Sequence, residues 1–466
     1  MPIKVEKRRK IGISYIMLSN NGFTEPFRLY FVGIGGTSMA ALSLIMKSKG
    51  FYVSGYDATE SELTEKLRDG GIRVNVESDL ENCDLAVVSS AISDDNRVIR
   101  RLNDLKKAIV PRAWLLSELC KSYPLTVGVA GTHGKTTCTC LIAHVLKSAE
   151  KGFTLHVGGE DADFGNAYIS GSDIFLTEIC EFKRNIAYFS PSVGVVLNVD
   201  NDHEESYGSF ENLASEFRAY AGRSKIAVVN FDDENLSRES AVTFSFSDPS
   251  ADFFVKDVSF DGKTLECAVF GRIGRLFDLK SRALRYHDVY NVVAATAVCS
   301  LLGIGGEEIK RGIESFRGVK RRNEFLGEYD KVPVYADYAH HPAQVAHAVE
   351  DYKKRFGENT RFLFQSHTYS RTARLSDDFV RALAPAGSVR LFETYGAREK
   401  FDENGSYKKL GYKLKNAVLC DESEGVGRAF EDEKECVSAY VVLGAGDLYD
   451  RVKKFLAERN GASLGE

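Results

Sequence analysis

The sequence predicts an α/β protein of three domains, and two observations lead there. At three places a β-branched or aromatic run stops at glycines and gives way to a helical pattern, and a chain of 466 residues is too long for one compact core. The first start is Arg28 to Val32, then Gly33-Ile-Gly35-Gly36, then the apolar helix Met39 to Met46. A second strand, Phe51 to Tyr56, ends at Asp57. Helical and extended patterns then alternate through Glu62 to Asp69, Leu85 to Ser89, Arg97 to Lys107 and Ala108 to Val110. The second start is Leu125 to Ala130 before Gly131-Thr-His-Gly134-Lys135-Thr136-Thr137, with a helix running through Leu141 to Leu146 and later strands at Ile174 to Glu178 and Gly194 to Asn198. In the third segment Val334 to Ala336, Phe362 to Phe364, Val389 to Phe392 and Ala439 to Leu443 alternate with helices, and the last strand ends at Gly444-Ala-Gly446. In open parallel sheets ligands gather at the carboxyl ends of the strands, so all three glycine turns are candidate binding positions.

Punctuation places the junctions near residues 120 and 318: Ser122-Tyr-Pro124 precedes the second start, and the basic, glycine-containing Arg317 to Arg322 precedes the third segment. This gives an extension over 1–27 and domains over 28–120, 121–318 and 319–466. Ser247 to Arg282 alternates in polarity and carries a turn at Asp261-Gly262, which predicts antiparallel strands added to the central domain.

Composition excludes several classes. A net charge of -5 and a pI near 6.1 give no basic field for a nucleic acid. No apolar run approaches the roughly 20 residues that span a bilayer. The basic start, Lys4 to Lys10, leads into Ile11 to Leu18, but that stretch is short, contains Gly12 and lacks a cleavage site, so it reads as an amphipathic extension. The nine scattered cysteines suit reduced thiols in the cytoplasm, and Cys138 and Cys140 read as small buried side chains, not zinc ligands.

The second glycine turn carries the clearest chemistry. Glycines let backbone amides wrap phosphate oxygens, the following helix points its positive end at them, and Lys135 adds a mobile charge toward terminal phosphates. Thr136 would sit at Mg²⁺. The strict pattern G-x-x-x-x-G-K-[ST] requires glycine where Val129 stands, yet strand, loop and helix follow in the right order. Phosphoryl transfer also needs metal ligands at strand ends; Glu178 and His203 occupy such positions. The first turn, Gly33-x-Gly35-x-x-Ser38 with Asp57 after the next strand, nearly satisfies the dinucleotide fingerprint, and the same geometry accepts the diphosphate of a UDP-sugar. Both ligands remain open at this point.

Gly33-Ile-Gly-Gly36, Gly131 to Thr137 and Asp337-Tyr-Ala-His-His-Pro342 occur in an order that resembles the Mur ligases. Val157-Gly-Gly159, Gly165-Asn-Ala167, Asn291, Arg321-Arg322 and Leu443-Gly-Ala-Gly-Asp447 extend the similarity from about residue 28 to 450. The resemblance implies a Rossmann-like first domain for UDP-N-acetylmuramate, a central P-loop ATPase domain, and a Rossmann-like third domain that brings an amino acid, L-alanine in the best match, and closes on the other two. ATP and Mg²⁺ are the implied cofactors. Gly33, Gly35, Gly36 and Asp57 would hold the UDP-sugar. Gly131, Thr132, His133, Gly134, Lys135, Thr136, Thr137, Asn291, Arg322 and Asp337 would hold ATP, and Thr136, Glu178 and His203 the metal. His341, His367 and Arg371 would join Lys135 at the reacting groups, with either histidine as a base or an orienting residue. No nucleic acid or membrane partner is implied, and the chain would be a monomer or homodimer.

Several positions depart from the family pattern: Ile179-Cys180-Glu181-Phe182-Lys183 after the metal Glu, Asp288 for Asn, Ser366 for Pro and Thr368 for Arg. They keep alternatives in play, namely a recycling ligase that adds a peptide to the same sugar nucleotide, a nicotinamide dehydrogenase, a regulatory P-loop ATPase and a UDP-sugar-binding protein.

Overall fold

The computed structural model describes residues 27–200, 204–261, 264–397, 399–421, 423, 425–431 and 436–462. The predicted extension, except Phe27, and His203 and Gly262 lie outside the described residues.

Five short strands open the fold: β1 (Arg28–Val32), β2 (Tyr52–Tyr56), β3 (Arg73–Val74), β4 (Leu85–Val88) and β5 (Ala108–Pro111). They form an all-parallel sheet in the order β3-β2-β1-β4-β5. Helices cover both faces, so β1 and β4 read as continuous apolar runs; Leu29, Phe31, Val32, Leu85, Ala86 and Val87 are fully buried. The helix Thr37–Ser48 starts directly after the glycine turn and buries Met39, Ala40, Leu42, Ile45 and Met46.

The second sheet contains β6 (Leu125–Ala130), β7 (Phe153–Asp161), β8 (Gly165–Ile169), β9 (Ile174–Glu178), β10 (Val193–Val196), β11 (Ile226–Asn230) and β12 (Val242–Phe244). Its order, β12-β11-β10-β6-β9-β7-β8, puts β6 between β9 and β10. The loop after β6 therefore lies mid-sheet, with Glu178 paired beside Val129 on one side and Val196 beside Ala130 on the other. The helix Lys135–Ser148 leaves this loop and buries Cys138 and Cys140 as the sequence predicts. The helices Val289–Leu301 and Gly306–Ser315 flank it. The antiparallel strands expected over 247–282 are β13 (Phe254–Phe260), β14 (Leu265–Gly271) and β15 (Gly274–Ser281).

The helix Thr37–Ser48 lies on β7 and β8. One apolar cluster runs from Leu29 and Phe31 through Trp114 and Leu115 of the helix Arg112–Lys121 to Phe175, Ile179 and Phe217. The first two sheets thus share a core. They make up one compact unit, Met1–Arg317, and Gly318–Glu466 makes a second.

The second unit holds β16 (Glu324–Tyr329), β17 (Val332–Asp337), β18 (Thr360–His367), β19 (Ser388–Tyr395), β20 (Ala417–Leu419) and β21 (Ala439–Leu443). The order is β16-β17-β21-β18-β19-β20, parallel except for the β16–β17 hairpin. Phe362, Phe364, Val389, Leu391, Val441 and Leu443 form the inner surface.

Candidate active site

The phosphate loop is shaped by its neighbours as much as by its own glycines. Gly134 caps the helix Lys135–Ser148 at φ +82, and a Cβ there would lie 2.5 Å from Asn291 Oδ1. Only glycine meets both demands. The strand end beyond β10 braces the loop from the other side. Asn198 Oδ1 accepts from His133 N at 2.8 Å, Asp200 N donates to Thr132 Oγ1 at 2.9 Å, and His133 Nε2 meets Asp200 Oδ2 at 3.2 Å.

The end of β9 supplies the carboxylate predicted for a metal. Thr136 Oγ1 donates to Glu178 Oε2 at 2.6 Å, while Gly158 N donates to Oε1 at 2.6 Å. A hydroxyl and a carboxylate side by side at a helix head are hard oxygen donors of the kind Mg²⁺ takes. The approach of Gly158 is so close that a Cβ on it would stand 2.2 Å from Glu178 Oε1.

Lys135 Nζ is folded into the loop. It donates to Gly131 O at 2.5 Å, Thr132 O at 3.1 Å, and Glu181 Oε1 and Oε2 at 3.2 and 3.0 Å. Burial by itself would lower the lysine pKa, but the Glu181 carboxylate outweighs it and the net shift is upward, keeping the ammonium charged. Glu181 was noted in the sequence only as a survivor of an altered segment. The structure makes it the counterion of the phosphate-loop lysine.

Asn291, near the head of the helix Val289–Leu301, donates through Nδ2 to Asp288 Oδ1 at 3.1 Å. Asp288 Oδ2 accepts from Arg285 N at 3.0 Å. An ionised carboxylate only accepts, so the Asn291 amide is fixed with its oxygen toward Gly134.

At the first glycine turn Gly33 N donates to Tyr56 O at 2.7 Å and Gly35 N to Asp57 Oδ2 at 2.9 Å. The second Asp57 oxygen accepts from Thr59 N at 3.1 Å, so the side chain holds the turn itself. Gly36 provides no side-chain cap for the helix Thr37–Ser48, leaving the amides of its first turn available to an anion.

The second unit gathers a separate cluster. Asp337 ends β17 and accepts from Ala339 N and Asn323 N, each at 3.1 Å. Arg322 lies 5.2 Å from the Tyr338 ring centre. His341 caps the helix Pro342–Phe356 through its backbone. The neighbouring His340 was missed in the sequence: its Nδ1 donates to Tyr338 O at 2.8 Å and its ring stands 6.2 Å from that of His367. Burial, then the charges of Arg371, His367 and Arg322, press the His340 pKa down to about 3. Burial and Arg371 hold His367 down to about 4, and its buried Nδ1 has no hydrogen-bond partner among the described residues. Both imidazoles are neutral near pH 7.

These arrangements agree with comparisons to known proteins. Residues 28–124 match the Mur ligase family catalytic domain and residues 129–299 the Mur ligase middle domain. A UDP-N-acetylmuramate--L-alanine ligase of Caldanaerobacter subterraneus is 34% identical over 451 residues, covering 92% of this chain and 97% of the relative. One from Caldicellulosiruptor saccharolyticus is 34% identical over 446 residues, covering 90% and 96%. The crystal structure of the UDP-N-acetylmuramate-alanine ligase of Thermotoga maritima superposes with a TM-score of 0.79 at 27% identity, covering 94% of this chain and 99% of that one. With relatives this similar over nearly their full length, the chain belongs to the Mur ligase family.

Proposed function

We propose that this protein joins L-alanine to the lactyl carboxylate of UDP-N-acetylmuramate in the cytoplasm, at the expense of ATP. The observation that carries the reading is the joining of Lys135, Thr136, Glu178 and Glu181 at one helix head, beside a second glycine turn suited to a diphosphate. The extent of similarity to L-alanine ligases supports the choice of amino acid. No helix among the described residues is long and apolar enough to cross a membrane.

A carboxylate does not react with an amine in water, because the amine is protonated and hydroxide leaves poorly. Transfer of the γ-phosphoryl group gives an acyl-phosphate and ADP; the free amine then attacks the carbonyl and phosphate leaves. Residues 28–120 would hold the UDP-sugar through Gly33, Gly35 and Gly36, with Asp57 bracing the turn. Residues 121–318 would hold ATP on the amides of Gly131 to Thr137, with Asn291 against the loop and Lys135 at the terminal phosphates. Thr136 and Glu178, and His203 beyond them, would hold Mg²⁺, which neutralises charge developing on the γ-phosphate. Residues 319–466 would hold the amino acid, with Arg371 toward its carboxylate and Arg322 and Asp337 toward the nucleotide. His340 and His367 are neutral but weakly basic, which suits hydrogen bonding to the substrate better than removing a proton from an ammonium.

The test is phosphate release from ATP and Mg²⁺ with UDP-N-acetylmuramate, comparing L-alanine, glycine, L-serine, a tripeptide and no amine. Release that requires both the sugar nucleotide and L-alanine, and is lost in Lys135→Ala, is the expected result. Release with the tripeptide alone would reassign the chain as a peptide-adding ligase, and release without sugar nucleotide would sink the ligase reading.

A further inference from the structure

The head of the helix Thr37–Ser48 supplies about half a positive charge, whereas a nucleotide diphosphate brings roughly two negative ones, so the glycine turn alone leaves most of that charge uncompensated. A cation stands beside it. Arg112 opens the helix Arg112–Lys121 directly after β5, at the same carboxyl edge of the first sheet as the turn. Its Nη1 donates to Ser38 Oγ at 2.6 Å, and Ser38 is the second residue of the helix whose head faces the turn.

Two features separate Arg112 from an ordinary structural arginine. It is half-buried, yet no carboxylate lies within ion-pair distance of it among the described residues; its one hydrogen-bond acceptor is a neutral hydroxyl. A guanidinium has five N–H donors, so most of its capacity is unspent in a setting where a charge normally has a partner. Ser38 is also held from behind. His156 Nε2 lies 3.0 Å from Ser38 Oγ and 3.1 Å from Ser38 O, and His156 Nδ1 lies 2.9 Å from Thr177 Oγ1. His156 is fully buried, and burial followed by the Arg112 charge keeps it neutral, with a pKa held down to about 3. The serine that stands where the dinucleotide fingerprint has its third glycine is therefore a fixed post for the arginine.

Resting on the UDP-sugar reading of the first domain, we infer that Arg112 is a substrate-binding residue whose guanidinium grips the diphosphate of the nucleotide sugar at the head of the helix Thr37–Ser48. Planar, multidentate pairing with phosphate oxygens is what a guanidinium does better than an ammonium.

The experiment measures binding of UDP, uridine and UDP-N-acetylmuramate to the full chain and to Arg112→Gln and Arg112→Lys, by calorimetry and competition, with thermal unfolding to confirm that each variant folds. UDP is expected to bind about 10- to 100-fold more weakly to Arg112→Gln, and less weakly to Arg112→Lys. Uridine, which lacks the diphosphate, should bind all three proteins alike, and the KM for ATP should not change. Equal losses for UDP and uridine would mean the variant only disturbs the fold, and would overturn the inference. So would unchanged UDP binding with weakened UDP-N-acetylmuramate binding, which would move the contact to the lactyl carboxylate. A wild-type chain that releases phosphate with UDP-N-acetylmuramate and L-alanine while Arg112→Gln binds UDP normally refutes the arginine and spares the ligase; a wild-type chain that neither binds UDP nor turns over refutes both.

Discussion

Replacing Gly158 by alanine separates the metal carboxylate from the fold that holds it. Gly158 has no positive φ, so alanine suits its backbone, and the whole effect is steric. The new Cβ would stand 2.2 Å from Glu178 Oε1, and contacts below 3.0 Å are not tolerated, so the carboxylate must retreat by close to 1 Å. That atom is the far end of a flexible side chain, and the retreat costs little stability. It does, however, pull Glu178 from Gly158 N and disturb the 2.6 Å contact with Thr136 Oγ1. A 1 Å misplacement of a catalytic group costs on the order of 100-fold in rate. We therefore expect Gly158→Ala to lose about 100-fold in kcat/KM and to need more Mg²⁺, with Tm within about 2 °C of wild type. Gly222→Ala is the control: it has open space around its Cβ, lies in the exposed part of a helix, and should leave turnover unchanged. Steady-state phosphate release and thermal unfolding decide the matter. Wild-type turnover in Gly158→Ala would refute the assignment of Glu178, and a large fall in Tm alongside lost activity would refute the claim that the substitution acts on the site alone.

Glu181→Gln removes the carboxylate that competes with phosphate for Lys135, so ADP without metal should bind about tenfold more tightly, as read by fluorescent-nucleotide titration; weaker binding would make Glu181 a contributor instead of a competitor. The neutral imidazoles make stability depend on pH with a definite sign. In the folded chain His156 and His340 titrate near 3 and His367 near 4, whereas in the unfolded chain each titrates near the ordinary 6.5. Their contribution is fully present above pH 6.5 and is lost as pH falls below it, because only the unfolded state takes up the protons; by pH 5 each histidine removes about 2 kcal/mol. Urea unfolding at pH 7 and pH 5 measures this, and His156→Gln should flatten the slope by one histidine's share.

The parts of the fold legible in the sequence are those where local chemistry and tertiary demand coincide. β9 and β21 are buried on both faces and bounded by polar or glycine residues, so their apolar runs mark them from end to end. β16 and β20 were not read. β16 carries Glu324, Gly327 and Glu328 on a half-exposed edge, and its turn uses Asp330 and Lys331 at positive φ in place of glycine. β20 is three residues long, too short for any periodicity. The shared core of the first two sheets was equally hidden, because Trp114 and Leu115 look the same in sequence whether they face one sheet or two.

The site divides along the same line. Backbone-driven parts, the turns at Gly33–Gly36 and Gly131–Gly134, announce themselves because only glycine serves there. Side chains that act through partners from other strands do not. Glu181, Asn198, Asp200 and Arg112 acquire meaning only once β6 is known to lie between β9 and β10, and once the helix Arg112–Lys121 is known to start at the edge of the glycine turn. The segment Cys180–Lys183, which departs from the family pattern, illustrates the cost of such placement. Lys183 and Arg184 both sit at positive φ, a strain of about 1 kcal/mol or more apiece. Tyr207 OH holds Glu181 O at 2.6 Å, Lys183 Nζ holds Ser90 O at 2.7 Å, and Arg184 Nη2 holds Glu216 Oε2 at 3.3 Å. Three tethers on a strained turn serve to deliver one carboxylate to Lys135. The residue order alone, which shows only a short run of mixed polarity, could not have distinguished that purpose from drift.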